Sequence, residues 1–170
     1  MKPADKEEVH VDSKTFADVL RKFPLAVSVV TVGRGGADNA LTVSWATPAS
    51  FDPPMFLVAV DRLHYSVDFV RSTRNFAVNV LGEGQERLAG QFARQSMQGE
   101  DKLAGVASHE ATTGAPILDE AVAWFDCELE TFFEAGDHYL LLGKVVDAGF
   151  GRDATPLVGG GSMRYQKSHA

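Results

Sequence analysis

The chain has 170 residues, 45% of them apolar and 23% charged, with a formal net charge of −7 and one cysteine. That length and apolar share suit one globular domain with its own core, and leave little room for disorder. The acidic balance argues against a nucleic-acid role, which needs a basic face, and a lone Cys127 excludes an intrachain disulfide.

Nowhere do eighteen apolar residues run together, and the N-terminal MKPADKEEVHVD lacks the apolar run of a signal peptide. The expected location is therefore the cytoplasm. Residues 1–11 are charged and aperiodic and read as a flexible tail, which leaves residues 12–170 as a single domain. Asp12 and Ser13 are both N-cap types. Phe16, Val19, Leu20 and Phe23 follow at spacings that make one apolar helix face, and Pro24 stops the helix. Leu25–Val32, LAVSVVTV, is β-branched and reads as a strand. The glycines from Gly33 to Gly36, with Asp38 and Asn39, supply turn chemistry for a hairpin into Leu41.

The stretch Leu41–Pro54, LTVSWATPASFDPP, starts as a strand and then changes character. Leu41, Thr42, Val43 and Trp45 include types that suit a pleated surface, whereas Ser44, Ala46, Thr47, Ala49 and Ser50 are small or hydroxylated. Pro53 and Pro54 hold the chain extended and offer no N–H, so this end is no central rung of a sheet. Small side chains let a flat molecule approach the backbone, whose N–H and C=O groups match the polar edge of a heterocycle. Taken alone, the window favours the plainer reading of a strand followed by a polar loop.

Met55–Val60 reads as a strand, Tyr65–Thr73 as a short helix, Asn75–Leu81 as a strand and Gln85–Gln95 as a helix. Asp101–Gly105 reads as a single turn and Gly114–Leu118 as extended. Val122–Phe133 and His138–Gly149 are strand-like runs joined by Glu134-Ala135-Gly136-Asp137. In the first of them Phe125, Cys127 and Leu129 alternate with Asp126, Glu128 and Glu130, the pattern of a half-buried strand with Cys127 in the core. A last strand begins at Leu157 and is broken by Gly159–Gly161. Six or seven strands in hairpin succession, with two or three short helices inserted, predict a mainly β fold, a closed antiparallel barrel rather than alternating βαβ units.

No G-x-G-x-x-G follows a strand, and no phosphate loop or G-x-S-x-G elbow is present. His10, His64, His109, His138 and His169 show no ligand spacing, so no metal is expected. A nicotinamide cofactor would therefore bind without a Rossmann fold. Arg62, Ser66 and the start of the Tyr65 helix form an anion candidate, because a helix N-terminus presents unpaired N–H groups. The plainer alternative is an ordinary N-cap with solvated charges. For Trp45, a core position is the commoner use of a strand tryptophan.

In order, KFPLAVSVVTV (Lys22–Val32), LTVSWATPASFDPP, NFAVNVL (Asn75–Leu81), DKLAG (Asp101–Gly105), GAPIL (Gly114–Leu118) and EAGDHYLLLGKV (Glu134–Val145) resemble the flavin reductase-like, FMN-binding split-barrel proteins. The likeness runs from Phe23 to about Asp147 and is close to the reductase domains appended to flavodiiron proteins. It implies an antiparallel, Greek-key-like split barrel, a homodimer, and an NAD(P)H:flavin oxidoreductase that uses FMN or FAD with NADH or NADPH. The acceptor would be a monooxygenase, a ferric complex or a small redox protein.

The resemblance also implies roles for single residues. Thr42, Val43, Ser44, Trp45, Ala46, Thr47 and Ser50 would line the flavin; Arg62 and Ser66 would meet its phosphate, with Lys102 as a second cation. His138, in Gly136-Asp137-His138, would face the nicotinamide side and either orient it or steady charge on the reduced flavin. Tyr165, beside Arg164, would stand near the flavin at the last strand, although Gly159–Gly161 replace the aromatic or histidine residues usual just before that point. The same fold also serves tightly FMN-bound, flavoredoxin-like electron carriers and ferric reductases, and a barrel without flavin remains the third reading.

Overall fold

Three hairpins and one solitary strand make the main sheet. In the computed structural model, which describes residues 11–33, 38–94 and 101–159, the hairpins are β2 (Ser28–Val32) with β3 (Asn39–Val43), β4 (Ala46–Phe51) with β5 (Pro54–Asp61), and β9 (Ala123–Ala135) with β10 (His138–Phe150). The solitary strand is β6 (Asn75–Val80). All neighbours are antiparallel, in the order β3-β2-β6-β9-β10-β5-β4. Gly136 takes φ 63 in the tight turn between β9 and β10, a conformation glycine adopts without steric cost.

The sheet curls into a barrel, because its two ends share one core. Leu41 and Val43 of β3 pack in the same buried cluster as Val58 and Val60 of β5, with Ala46 of β4 against it. Val30 and Val32, Phe76 and Val78, Cys127 and Leu129, and Leu141 complete the interior from the strands between. Helix α2 (Ser66–Thr73) plugs one end with Val67 and Val70, and Phe69 packs beside them. Interior packing is close enough to remove a side chain from β10: a Cβ on Gly143 would stand 2.5 Å from Cζ of Phe76. Cys127 is fully buried in this core, as its alternation predicts, and burial pushes its thiol up to about 12.

A second layer covers β2, β3 and β6 from outside. Helix α3 (Glu86–Ala93) lays Phe92 there with Val27, Val29, Leu81, Leu103 and Leu118. A small hairpin, β7 (Ser108–Glu110) with β8 (Pro116–Leu118), brings Ile117 onto Ala77. The sequence reading has only an extended segment at 114–118, because three-residue strands carry too little alternation to register. The predicted first strand is split into β1 (Leu25–Ala26) and β2 at Val27, whose N–H turns away to Leu157 O at 2.8 Å. Strand β1 pairs instead with β11 (Val158–Gly159).

Two outcomes depart from the simple periodicity. Asp126 points to the solvent side of β9 by alternation but has no exposure, because Thr113 arches over it. Thr113 N donates to Asp126 Oδ2 at 2.7 Å and Thr113 Oγ1 to Oδ1 at 2.5 Å. Burial outweighs these bonds and raises the carboxyl above its ordinary range. Helix α1 (Ser13–Leu20) forms as predicted, capped by Asp12 accepting from Thr15 N at 2.9 Å, yet buries none of its residues. Its apolar face, with Phe16 54% and Val19 64% exposed, is uncovered in the single chain. The tail at residues 1–10 and the expected site residues Arg164 and Tyr165 lie outside the described residues.

Candidate functional site

The corner between β3 and β4 is two residues long, Ser44 and Trp45. Because β3 and β4 are the opposite edges of the sheet, this corner bridges the split of the barrel. Each residue of the stretch has a distinct place. Thr42 Oγ1 donates to Ala89 O at 2.6 Å and ties β3 to α3. Val43 is in the barrel core and Ser44 is buried beside it. Trp45 O accepts from Ala59 N at 2.8 Å, which fixes the corner to β5. Beyond it Ala46 faces inward, Thr47, Pro48 and Ala49 are exposed, and Ser50 is half-buried. Strand β4 is thus an open edge of small residues, paired on one side with β5.

Trp45 and His138 come together from distant parts of the chain. Their ring centroids are 4.8 Å apart at an interplanar angle of 35°. His138 opens β10 opposite Asp61, and its Nδ1 lies 2.7 Å from Asp137 Oδ1. With the carboxylate accepting from Nδ1–H, a neutral imidazole presents Nε2 as an acceptor. Trp45 is half-buried at the corner, against His138.

The start of α2 is more occupied than the sequence suggests. Leu63 N donates to Asp61 Oδ1 at 2.8 Å, His64 N to Asp61 O at 2.9 Å, Ser66 N to His64 Nδ1 at 3.2 Å and Val67 N to His64 O at 3.1 Å. Ser66 is fully buried, and its Oγ has no hydrogen-bond partner. Arg62, four residues upstream, turns to the β9–β10 tip: its Nη1 donates to Gly136 O at 3.2 Å and lies 3.7 Å from Glu134 Oε2.

His64 has no role in the sequence reading beyond its lack of metal-ligand spacing. It caps α2 through its ring nitrogen. Burial, reinforced by the charge of Lys102, holds its pKa down to about 4, so the ring is neutral at neutral pH. The sequence signal is its place two residues before a helical serine, inside an Asp61-initiated turn.

Lys102 stands behind this region rather than at its surface. It is 2% exposed, and its Nζ donates to Ala40 O at 3.3 Å, Phe92 O at 3.3 Å and Arg94 O at 2.5 Å. A phosphate contact would require the ammonium to leave these carbonyls, two of which belong to the end of α3, where a cation is favoured. The structure therefore brings together the β3–β4 stretch, Trp45 and His138. It places Ser66 and Arg62 at their margin and Lys102 underneath. Among the described residues no group of three His, Cys, Asp or Glu side chains could hold a metal, and no helix is long and apolar enough to cross a membrane.

A flavin fits these features on three counts: an extended edge strand with small side chains from Ala46 to Ser50, a flat aromatic pair beside it, and a buried hydroxyl without a partner at a helix start. Comparison with known proteins points the same way. The chain is 33% identical over 135 residues to the reductase subunit of stachydrine N-demethylase from Rhizobium meliloti, covering 79% of this chain and 57% of that relative. The match thus spans a little over half of that protein's length. It is 34% identical over 148 residues to the reductase component of 4-nitrophenol 4-monooxygenase/4-nitrocatechol 2-monooxygenase from Rhodococcus opacus, covering 87% of this chain and 74% of the relative. The solved NADH:FAD oxidoreductase of Streptomyces globisporus superposes with a TM-score of 0.83 at 29% identity, covering 98% of this chain and all of the other. The profile described as the flavin reductase like domain matches residues 20–167, and by that match the chain belongs to the flavin reductase-like family of split barrels.

Proposed function

We propose that this chain is an NAD(P)H-dependent flavin reductase that passes reduced flavin or its electrons to a second protein. The observation that carries the reading is the Trp45–His138 pair at the margin of the open β4 edge. When bound there, a flavin supplies the redox chemistry, accepting hydride from a reduced nicotinamide. The chain's own residues bind and orient. The backbone of Ser44–Ser50 meets the ring edge, Trp45 and Thr47 flank it, and Asp137 holds the His138 ring in place against the nicotinamide. Arg62 and Ser66 stand on the phosphate side. FMN is the favoured flavin, with FAD accommodated by the same edge. Hydride transfer between the two rings needs no dedicated acid or base from the chain.

Relatives named as reductase subunits or components of a demethylase and a monooxygenase support such a partner for this chain. Anaerobic addition of NADH or NADPH to the flavin-loaded protein is expected to bleach its yellow colour within a catalytic time. A protein that binds flavin but is bleached by neither donor would be an electron carrier instead.

We also propose a homodimer. The inward Leu141, Val58 and Val60 leave Leu140, Leu142, Leu57 and Ala59 on the outer face, where each is half-buried. Phe133, 49% exposed, pairs with Leu140 in the same face, and His138 lies at its margin. An apolar sheet face of this kind suits an isologous contact with a second copy. Light scattering on the flavin-loaded protein is expected to give twice the chain mass; a fully active monomer would overturn this.

A further inference from the structure

The hairpin end that carries His138 has a second side. Tyr139, the next residue, faces the barrel mouth and packs against the core there. Its ring and that of Phe132 are 5.8 Å apart, edge to face. Arg71, on the last turn of α2, places its guanidinium carbon 4.8 Å from both ring centroids. Arg62 approaches the same tyrosine, with its guanidinium carbon 5.8 Å from the ring centroid.

The two arginines are not equivalent. Arg62 is met by Gly136 O and Glu134. Arg71 is met by rings alone: among the described residues no carbonyl or carboxylate takes its N–H groups. Aromatic faces hold a guanidinium plane in position without using its donors. The result is a rigid, solvent-facing fork with its N–H edge open, on a chain whose net charge is −7. Such a fork matches a phosphate group, which it can bind through two parallel hydrogen bonds. His138 and Tyr139 are consecutive residues at the start of β10, next to the tip at Gly136, where an added Cβ would meet nothing within 4 Å. A long molecule with one end at His138 can reach the Tyr139 side over this tip.

We propose that Arg71, seated on Phe132 and Tyr139 with Arg62 beside it, recognises a phosphate group of the nicotinamide dinucleotide whose ring end lies at His138. This rests on the flavin reductase reading for the identity of the ligand. The phosphate is either the 2′-phosphate that distinguishes NADPH or the pyrophosphate common to both dinucleotides.

Calorimetric titration of the full chain with ADP-ribose and with 2′-phospho-ADP-ribose tests the site without any redox turnover. Arg71→Ala is expected to weaken at least one of them by about tenfold or more, the scale of one charged hydrogen-bonded contact. Arg71→Lys should recover only part, since it restores the charge and not the fork. A loss confined to the 2′-phosphorylated ligand identifies the 2′-phosphate; an equal loss for both identifies the pyrophosphate. The proposal is overturned if parent and Arg71→Ala bind both fragments alike, if the parent binds neither, or if the ligand lost is FMN while riboflavin is retained. Thermal melting of Arg71→Ala and Arg71→Gln checks the fold, and a loss of fragment binding that follows melting temperature across the variants also overturns it. Anaerobic bleaching of the parent separates the two readings: bleaching with unaltered fragment binding in the variant sinks this site and leaves the reductase standing.

Discussion

Replacing His138 with alanine is expected to slow anaerobic reduction of the bound flavin by about 10–100-fold, while changing flavin affinity far less. The ring stands beside Trp45, 4.8 Å between centroids, and is braced by Asp137, so it is a positioned group rather than a swinging one. On the proposed placement, removing it takes away one wall of the nicotinamide's place, and a loosely held donor spends less time at reacting distance. The proposed flavin contacts along the β4 backbone would be untouched. Stopped-flow absorbance at saturating NADH or NADPH measures the reduction step, and fluorescence titration with FMN measures affinity. Asp137→Ala should give a milder slowing of the same kind, because the ring remains but its orientation is freed. Equal reduction rates in His138→Ala and parent would leave His138 as a turn residue.

Lys102→Ala is expected to lower folding stability by about 2–4 kcal/mol, the combined scale of lost hydrogen bonds to a charged donor and a vacated buried volume. The ammonium links Ala40 on β3 to Phe92 and Arg94 at the end of α3. Without it those carbonyls lose their donor, and α3 loses part of its hold on β3. Flavin binding should then weaken for FMN and riboflavin together, in step with stability. Lys102→Met, which keeps most of the volume, should fall between parent and Lys102→Ala. Urea unfolding followed by titration with both ligands checks this. An unchanged unfolding midpoint with a loss selective for FMN would return Lys102 to the phosphate.

The contrast between these residues explains what the sequence makes legible. The β-branched runs and the Gly136-Asp137 turn act locally, and they place β2, β3, β5, β9 and β10 within about two residues, whereas β4, whose small and hydroxylated residues favour a polar loop in the sequence, is found only in the structure. Motif order gives the family because it integrates weak signals over most of the chain. What escapes is whatever depends on a distant partner. Lys102 reads as a surface cation until α3 and β3 close over it. Asp126 reads as solvated until Thr113 covers it. His64 and Arg71 carry no motif, and their contacts arise only when α2 is set in the barrel mouth. The apolar stripe of α1 is visible in the sequence, but its exposure among the described residues is not.

The open edge of β4 has one more consequence. An unpaired strand edge invites another chain to add to the sheet, and proteins usually blunt such edges with proline or a bulge. Strand β4 has both: Pro48 sits in its middle, and its register against β5 shifts between Pro48 and Ser50. A heterocycle needs only a few adjacent backbone groups, whereas an invading strand needs a continuous ladder. The same interruption therefore admits a small ligand and refuses an aggregating neighbour, so that this edge stays available in a crowded solution without seeding fibres.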